Sequence, residues 1–510
     1  MAEIRVAEVL SALSLTTDLA AGVPFEKGLR TCLVASVFAD EVLGVDATTL
    51  RSVFETALLR SVGCTSFAPE LAAIFGDDVA FQAVLKTFEP GDEEKFATQL
   101  SSHNDRNAAG GPGPAIAPME VFHAVGVEAM RSGCEASRSL GAGLGLRPES
   151  IEALDHVYER WDGHGIPGVL GGKQLALAVR VVHLAEQAVL AHAVGGLPAA
   201  VSEVRRRSGG HLDPQLAEAF VADPVASMAP LDQPDAIRAV LDVEPRPHVT
   251  FPFGSLPQLC AVLARLVDLK STWFLGHSER VATLAEAAGR LAGFDTAAAT
   301  ELRCAGLLHD LGRVGVSSST WDRPGPLGLA EMERVRMYPY WTHRILDRVP
   351  ALAAIAPIAS AHHERVDGCG YHRGVSSLQL TFSARILAAA DRFVALTEAR
   401  PYRAAHTVDA AVGTLMQDVQ TGGLDRQACA VVIEAAGRPR PRSKLPAGLT
   451  EREVEVLCQA ARGLSNREIG EQLQISGRTV GHHLSHIYDK IGLRTRAGVA
   501  VFAMEHGLLP

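Results

Sequence analysis

Aromatic residues supply only 5% of this 510-residue chain. So few rings beside abundant Ala and Leu argue against a sheet-dominated fold and for closely packed helices. Cysteine pairs are missing too: the eight cysteines, at 32, 64, 134, 260, 304, 369, 429 and 458, stand singly with no C-x-x-C among them. That spacing implies neither a disulfide framework nor a zinc ribbon and fits a reducing cytosol. No run of eighteen apolar residues occurs, and the N-terminal stretch Met1-Ala-Glu-Ile-Arg-Val-Ala-Glu8 carries acid early and lacks an apolar signal core. The expectation is a cytoplasmic protein without a membrane partner. What the chain does have is 47% hydrophobic content, ample for buried cores, in a length that suggests about three domains.

Charge is spread unevenly. Residues 437–510 hold eleven Lys and Arg against seven Asp and Glu, while the remainder holds 37 against 51. Phosphate would repel the acidic body, so the tail alone can dock on a duplex. Within that tail Thr450-x-x-Glu453 and Ser465-x-x-Glu468 are capping boxes and Ser476 is a third N-cap, which predicts three short helices starting near 451, 466 and 477. In the third, Val480, Leu484, Ile487 and Ile491 fall on one face, and Arg478, His482, Ser485, His486 and Asp489 on the other. An apolar back with a hydrogen-bonding front is what a major-groove reader requires. Residues 437–447 read as a stiff, basic, proline-bearing linker to this 448–510 module. The runs Leu449-Thr-Glu-Arg-Glu-Val-Glu-Val-Leu457, Gly463-Leu-Ser-Asn-Arg-Glu-Ile469 and Ile475-Ser-Gly-Arg-Thr-Val480 resemble the LuxR-type helix-turn-helix. Gly481 is a departure, standing where that family usually has a Lys directed at the DNA backbone. The resemblance implies a homodimer on DNA, with contacts from Ser476, Arg478, Thr479, His482, Ser485, His486 and Lys490.

The body repeats itself. Residues 28–63 align with 277–312 without a gap at an offset of 249, and Glu159-Arg-Trp-Asp-Gly-His-Gly165 aligns with Glu364-Arg-Val-Asp-Gly-Cys-Gly370 at an offset of 205. Gly209-Gly-His-Leu-Asp213 and Gly422-Gly-Leu-Asp425 close the two copies. Helical periodicity such as Val281, Leu284, Ala285, Ala288 and Leu291 pervades both, so the reading is all-α: two tandem helical bundles, 1–245 and 250–436, followed by the small helix-turn-helix domain. The offset falls by 44 between anchors, and the polar run Ser101–Pro114 is the obvious insertion.

The second copy carries the chemistry. His309-Asp310 in an apolar helical stretch and His362-His363 before a glycine-rich turn are costly near a core unless metal ions bind them. Two such ions would clamp a phosphodiester. Together with Ala390-Asp391 and Arg400-Pro-Tyr-Arg403, these blocks resemble the HD-GYP phosphohydrolases, a metal-dependent all-α family that hydrolyses cyclic dinucleotides, notably cyclic di-GMP. By that resemblance His277, His309, Asp310, His362, His363 and Asp391 are metal ligands, for iron or manganese, and Asp310 and Arg313 carry the catalysis. It also implies that Gly368, Gly370, Tyr371, Arg400 and Arg403 face substrate. Several positions depart from the family. Tyr338-Pro339 stands where His-Pro is common, which puts a ligand of the second metal in question, and His343 lies five residues on. Arg313 replaces the usual lysine, His372 the signature proline, and Trp273 an extra carboxylate found in some members.

In the first copy Arg60-Ser61 stands for His-Asp, Gly28 for the early His, and Val157-Tyr158 for the paired histidines, so no metal site is expected there. Glu159, Asp162, Gly163, Gly165 and Arg180 remain and would shape the loop. The leading expectation is a transcription regulator whose HD-GYP-like domain binds metal and a cyclic dinucleotide as input. The alternatives are an active phosphodiesterase that the DNA module targets, and a protein-interaction scaffold.

Overall fold

A computed structural model describes residues 3–86, 98, 119–440, 446–506 and 508. The polar run 101–114 and the linker centre 441–445 lie outside the described residues. As the periodicity implied, the described chain is almost wholly helical. Its one sheet is a two-stranded antiparallel ribbon, Glu3–Arg5 against Thr250–Pro252, which ties the start of the first copy to the start of the second.

Two compact units result, Met1–Arg438 and Pro439–Pro510. Within the first, the helices recur at the offsets read from the sequence. Helix Ala47–Leu59 matches Thr296–Leu308 end for end, and each starts on an aspartate, Asp46 or Asp295, whose side chain accepts backbone N–H bonds of the first turn. Helix Lys27–Val37 corresponds to His277–Leu291, and Leu177–Arg207 starts at the counterpart of Phe382–Thr397. The loop after each pair of helices is built alike. Glu159 accepts from the N–H groups of Gly168 and Val169, as Glu364 does from those of Arg373 and Val375. Arg180 pairs with Asp213 at 2.7 Å and Arg385 with Asp425 at 3.2 Å. At Gly165 and Gly370 a Cβ would lie 2.4 Å from the loop's own backbone, so no other residue fits either turn.

The two copies share one core. Leu10, Leu33, Phe54 and Val182 of the first are continuous with Leu263, Leu302, Leu308 and Leu387 of the second. Across the seam the fully buried Asp78 is paired with Lys270 and accepts hydrogen bonds from the Ser317 hydroxyl at 2.9 Å and the Ser318 N–H at 2.8 Å. Leu177–Arg207 is the one described helix long and apolar enough to cross a membrane. It kinks at Gly195-Gly196, holds Pro198, and buries Val179, Val181, Val182, Leu184 and Ala185 in this core.

The C-terminal unit has four helices: Glu451–Ala461, Asn466–Leu473, Gly477–Ile491 and Arg496–Glu505. The first three begin where the caps placed them, with both capping boxes formed and Ser476 accepting from the Thr479 N–H. The fourth, capped by Thr495, closes a core of Val456, Leu457, Ile469, Val480, Leu484, Ile487 and Phe502.

Candidate metal centre and nucleic-acid interface

Five elements of the second copy aim side chains at one point. His277 is the first residue of its helix, His309-Asp310 leaves the end of Thr296–Leu308, His362-His363 follows the short helix Ala356–Ala359, Asp391 sits mid-way along Phe382–Thr397, and Tyr338 opens Tyr338–Leu346. Backbone carbonyls set the imidazoles: Nδ1 of His309 lies 2.7 Å from the Gly306 carbonyl and Nδ1 of His362 2.7 Å from that of Ala359. Each Nδ1–H donates there, which turns Nε2 inward as a lone-pair donor. His277 Nε2 is 3.2 Å from Asp391 Oδ1 and 3.7 Å from Asp310 Oδ2, and His362 Nε2 is 3.7 Å from Asp310 Oδ1. His277, His309 and Asp391, and again His309, Asp310 and His362, bring ligand atoms within 4.8 Å of one another. Among the described residues these are the two such groups, and both lie in the second copy.

The polar atoms at the centre are unsatisfied. His309 Nε2 and both Asp310 oxygens are buried without a well-directed hydrogen bond, although Asp310 Oδ2 lies 3.1 Å from His309 Nε2 and 2.6 Å from Arg313. Orphaned donors of this kind fit a divalent cation. Electrostatics agree. Burial opposes charge on His309, but the Asp310 carboxylate beside it pushes its pKa up to about 10, so without an ion Nε2 carries a proton that a bound cation would displace. Burial likewise opposes ionisation of Asp310, yet Arg313 and His309 hold it well below the usual carboxylate range.

Tyr338 engages the paired histidines. The Tyr338 hydroxyl, on a side chain 1% exposed, lies 2.8 Å from His362 Nε2 and 2.5 Å from His363 Nε2. The phenol thus stands between the two imidazoles. His343, by contrast, turns to Ser360 at 3.4 Å. Arg313 stacks over Phe274 at 3.9 Å and Arg400 over the same ring at 4.9 Å. Both arginines, with Tyr371, Trp321 and Tyr338, line a cavity of about 520 Å³ beside the ligand cluster.

Other expected substrate residues are placed elsewhere. Arg403 donates to the carbonyls of Leu396, Glu398, Ala404 and Ala395 and does not line the cavity, because its guanidinium caps the end of the preceding helix. Gly368, with φ 77°, and Gly370 form the turn that presents Tyr371 without lining the cavity themselves. Glu398, which was not foreseen, accepts from His277 Nδ1 at 2.8 Å and from Arg400 at 2.9 Å. It follows Asp391 by seven residues, two helical turns on one face, and that spacing was the available signal.

In the C-terminal unit Ser476, Arg478, Thr479, His482, Ser485 and His486 are exposed along one side of Gly477–Ile491. Lys490 differs: its ammonium is paired with Glu453 at 2.6 Å and bonded to the Gly448 carbonyl, so it braces the first helix of the unit. Gly470 explains the tight turn, since a Cβ there would lie 2.6 Å from the Ile475 carbonyl.

Residues 261–428 match the HD domain family and residues 447–503 the luxR family of bacterial regulatory proteins. The chain thus joins an HD phosphohydrolase domain to a LuxR-type helix-turn-helix, and it is homologous to the HD-GYP cyclic-dinucleotide phosphodiesterases. One relative is the 3'3'-cGAMP-specific phosphodiesterase 3 of Vibrio cholerae, 28% identical over 428 residues, which are 81% of this chain and 91% of that protein. A crystal structure of a cyclic GMP-AMP-specific phosphodiesterase from V. cholerae superposes with a TM-score of 0.60 at 25% identity, covering 86% of this chain and 98% of the other. The cyclic di-GMP phosphodiesterase of Thermotoga maritima is 37% identical over 129 residues, 25% of this chain and 35% of that relative.

Proposed function

We propose that this protein is a cytoplasmic, homodimeric transcription regulator that reads a cyclic dinucleotide through its HD domain and DNA through its C-terminal unit. The observation that carries the reading is Tyr338, whose hydroxyl holds the Nε2 atoms of His362 and His363 at 2.8 and 2.5 Å. With that pair engaged, His277, His309, Asp310 and Asp391 remain to hold one divalent ion, iron or manganese by the nitrogen-and-oxygen donor set. Such an ion supplies Lewis-acid polarisation of a phosphoryl oxygen when bound. Arg313 and Arg400 would orient the phosphates, Tyr371 and Trp321 would cover the bases, and the 520 Å³ cavity is within the range of nucleotide-sized sites. A site with one ion would hold a nucleotide without the second ion's clamp on the reacting oxygens, which suits an input. The named substrates of the relatives make 3'3'-cGAMP the first nucleotide to test and cyclic di-GMP the second.

For the DNA module, support comes from the luxR match and from the exposed polar front of Gly477–Ile491. Nucleotide occupancy would act by favouring one arrangement of the chain over another. A second reading, an active phosphodiesterase brought to DNA, is favoured by the unsatisfied His309 and Asp310 atoms, which leave one metal site intact. Metal analysis together with a hydrolysis assay on the full chain separates the two. One ion per chain, nucleotide binding, and salt-sensitive specific DNA binding without multiple turnover support the regulator. Two ions per chain with turnover that Asp310→Ala abolishes overturn it in favour of the enzyme.

A further inference from the structure

The place in the first copy that corresponds to the metal centre is a second cavity, of about 170 Å³, which none of the chemistry above uses. An apolar cavity of about 150 Å³ holds a benzene ring, so a dinucleotide is excluded by size and a single ring is not. Phe67, Leu71, Phe81, Leu85 and Ile166 make its walls apolar. One end is cationic. Glu186, fully buried, is taken by Arg60 at 2.5 Å and Lys27 at 2.8 Å, and Lys27 also faces Asp18 at 3.9 Å. Lys86 is left 3.7 Å from Glu186, with one 3.3 Å hydrogen bond to the Ser61 hydroxyl. Among the described residues Arg60, Lys27 and Lys86 therefore share Glu186 and Asp18, while Glu159, which also lines the cavity, accepts from the N–H groups of Gly168 and Val169, so the end at Lys86 is cationic. Burial lowers the Lys86 pKa despite Glu186, as a buried ammonium short of a counter-ion requires.

Gln82 adds a second unmet demand. It lines the cavity and is 4% exposed, its Nε2 donates to the Cys64 carbonyl at 2.8 Å, and its Oε1 is buried with no partner. Gln82 and Lys86 are four residues apart, one turn along the same face, so one small molecule can reach both.

We propose that this cavity binds a small aromatic monocarboxylate carrying one hydroxyl or amino group, with the carboxylate on Lys86, the donor on Gln82 Oε1 and the ring between the apolar walls. A nucleotide, a phosphate or a purely apolar molecule meets only one of these demands, or none.

The test is calorimetric titration of the full-length, chelator-treated protein with 3-hydroxybenzoate, whose meta hydroxyl does not chelate metal with its carboxylate. Saturable binding at one site per chain is expected. Benzoate, lacking the donor, should bind about fivefold to tenfold more weakly, and Lys86→Met should weaken 3-hydroxybenzoate at least about tenfold. Ala129→Phe, which fills the cavity and leaves Lys86, Arg60 and Glu186 in place, should abolish binding with an unchanged circular dichroism spectrum. No saturation of the wild type up to about 10 mM overturns the proposal, as does wild-type affinity in either folded variant.

Discussion

Glu186 and Asp391 occupy the same place in the two copies and are neutralised in opposite ways. In the first copy the chain brings its own cations, Arg60 at 2.5 Å and Lys27 at 2.8 Å, and Arg60 stands where the other copy has His309. In the second the carboxylate faces His277 at 3.2 Å and His309 at 3.7 Å, with neighbouring donor atoms unsatisfied. One copy is closed by a guanidinium; the other stays open to an ion. The scaffold can therefore keep its helices and loop while losing its chemistry, because a buried carboxylate needs only a cation and does not specify which.

Removing the carboxylate should separate the copies most sharply. Glu186→Gln takes the shared carboxylate from Arg60, Lys27 and Lys86 and should cost about 3–5 kcal/mol of stability, read as a lower denaturation midpoint of the body. Asp391→Asn in metal-free protein should cost much less, since His277 and His309 can shed their protons, and equal losses would break the contrast. Next in size is Tyr338→His, which restores a ligand between His362 and His363. Metal content should rise from about one to about two ions per chain, and unchanged content in a folded variant would show that Tyr338 does not block the second position.

A smaller effect concerns pH and belongs to the first copy. Burial pushes the His183 pKa down to about 3 and drives that of His211 well below its ordinary value. Both stay neutral in the folded chain while the unfolded chain takes up protons below about pH 6.5. Stability should therefore fall as pH drops from 6.5 towards 3, by up to about 1.4 kcal/mol per pH unit for each group. His183→Gln should flatten the curve, and an unchanged slope would remove His183 from the account. Smallest of all, Lys490→Ala should lower the stability of the C-terminal unit by about 0.5 kcal/mol and leave the salt dependence of DNA binding unchanged. Arg478→Ala should do the reverse, and a reduced salt slope in Lys490→Ala would return that lysine to the duplex.

Caps, offsets and periodicity were legible because they are local. Asp46, Asp295, Thr450, Ser465 and Ser476 each start a helix where a side-chain oxygen meets unpaired N–H groups. The convergence of His277, His309, Asp310, His362 and Asp391 was legible only through family resemblance, since the residues come from four separate stretches of chain. That Arg403 caps carbonyls and Lys490 braces a helix was not legible, because a cation in those roles has the same letter as one that meets phosphate. Glu186 could have been found from the offset of 205, being the counterpart of Asp391. Lys27, Lys86 and the orphaned Gln82 could not, because nothing in their spacing reports that they meet. The fourth helix of the tail was missed although Thr495 caps it, for want of a capping-box partner three residues on.

The aspartate at position 78 has a consequence for anyone who would trim this chain. It holds Lys270, Ser317 and Ser318, and Thr320 and Trp321, close by in the chain, form part of the second copy's cavity. A fragment beginning near residue 250 would forfeit that anchor and bare a greasy flank, so the first copy serves as a buttress that the second cannot shed.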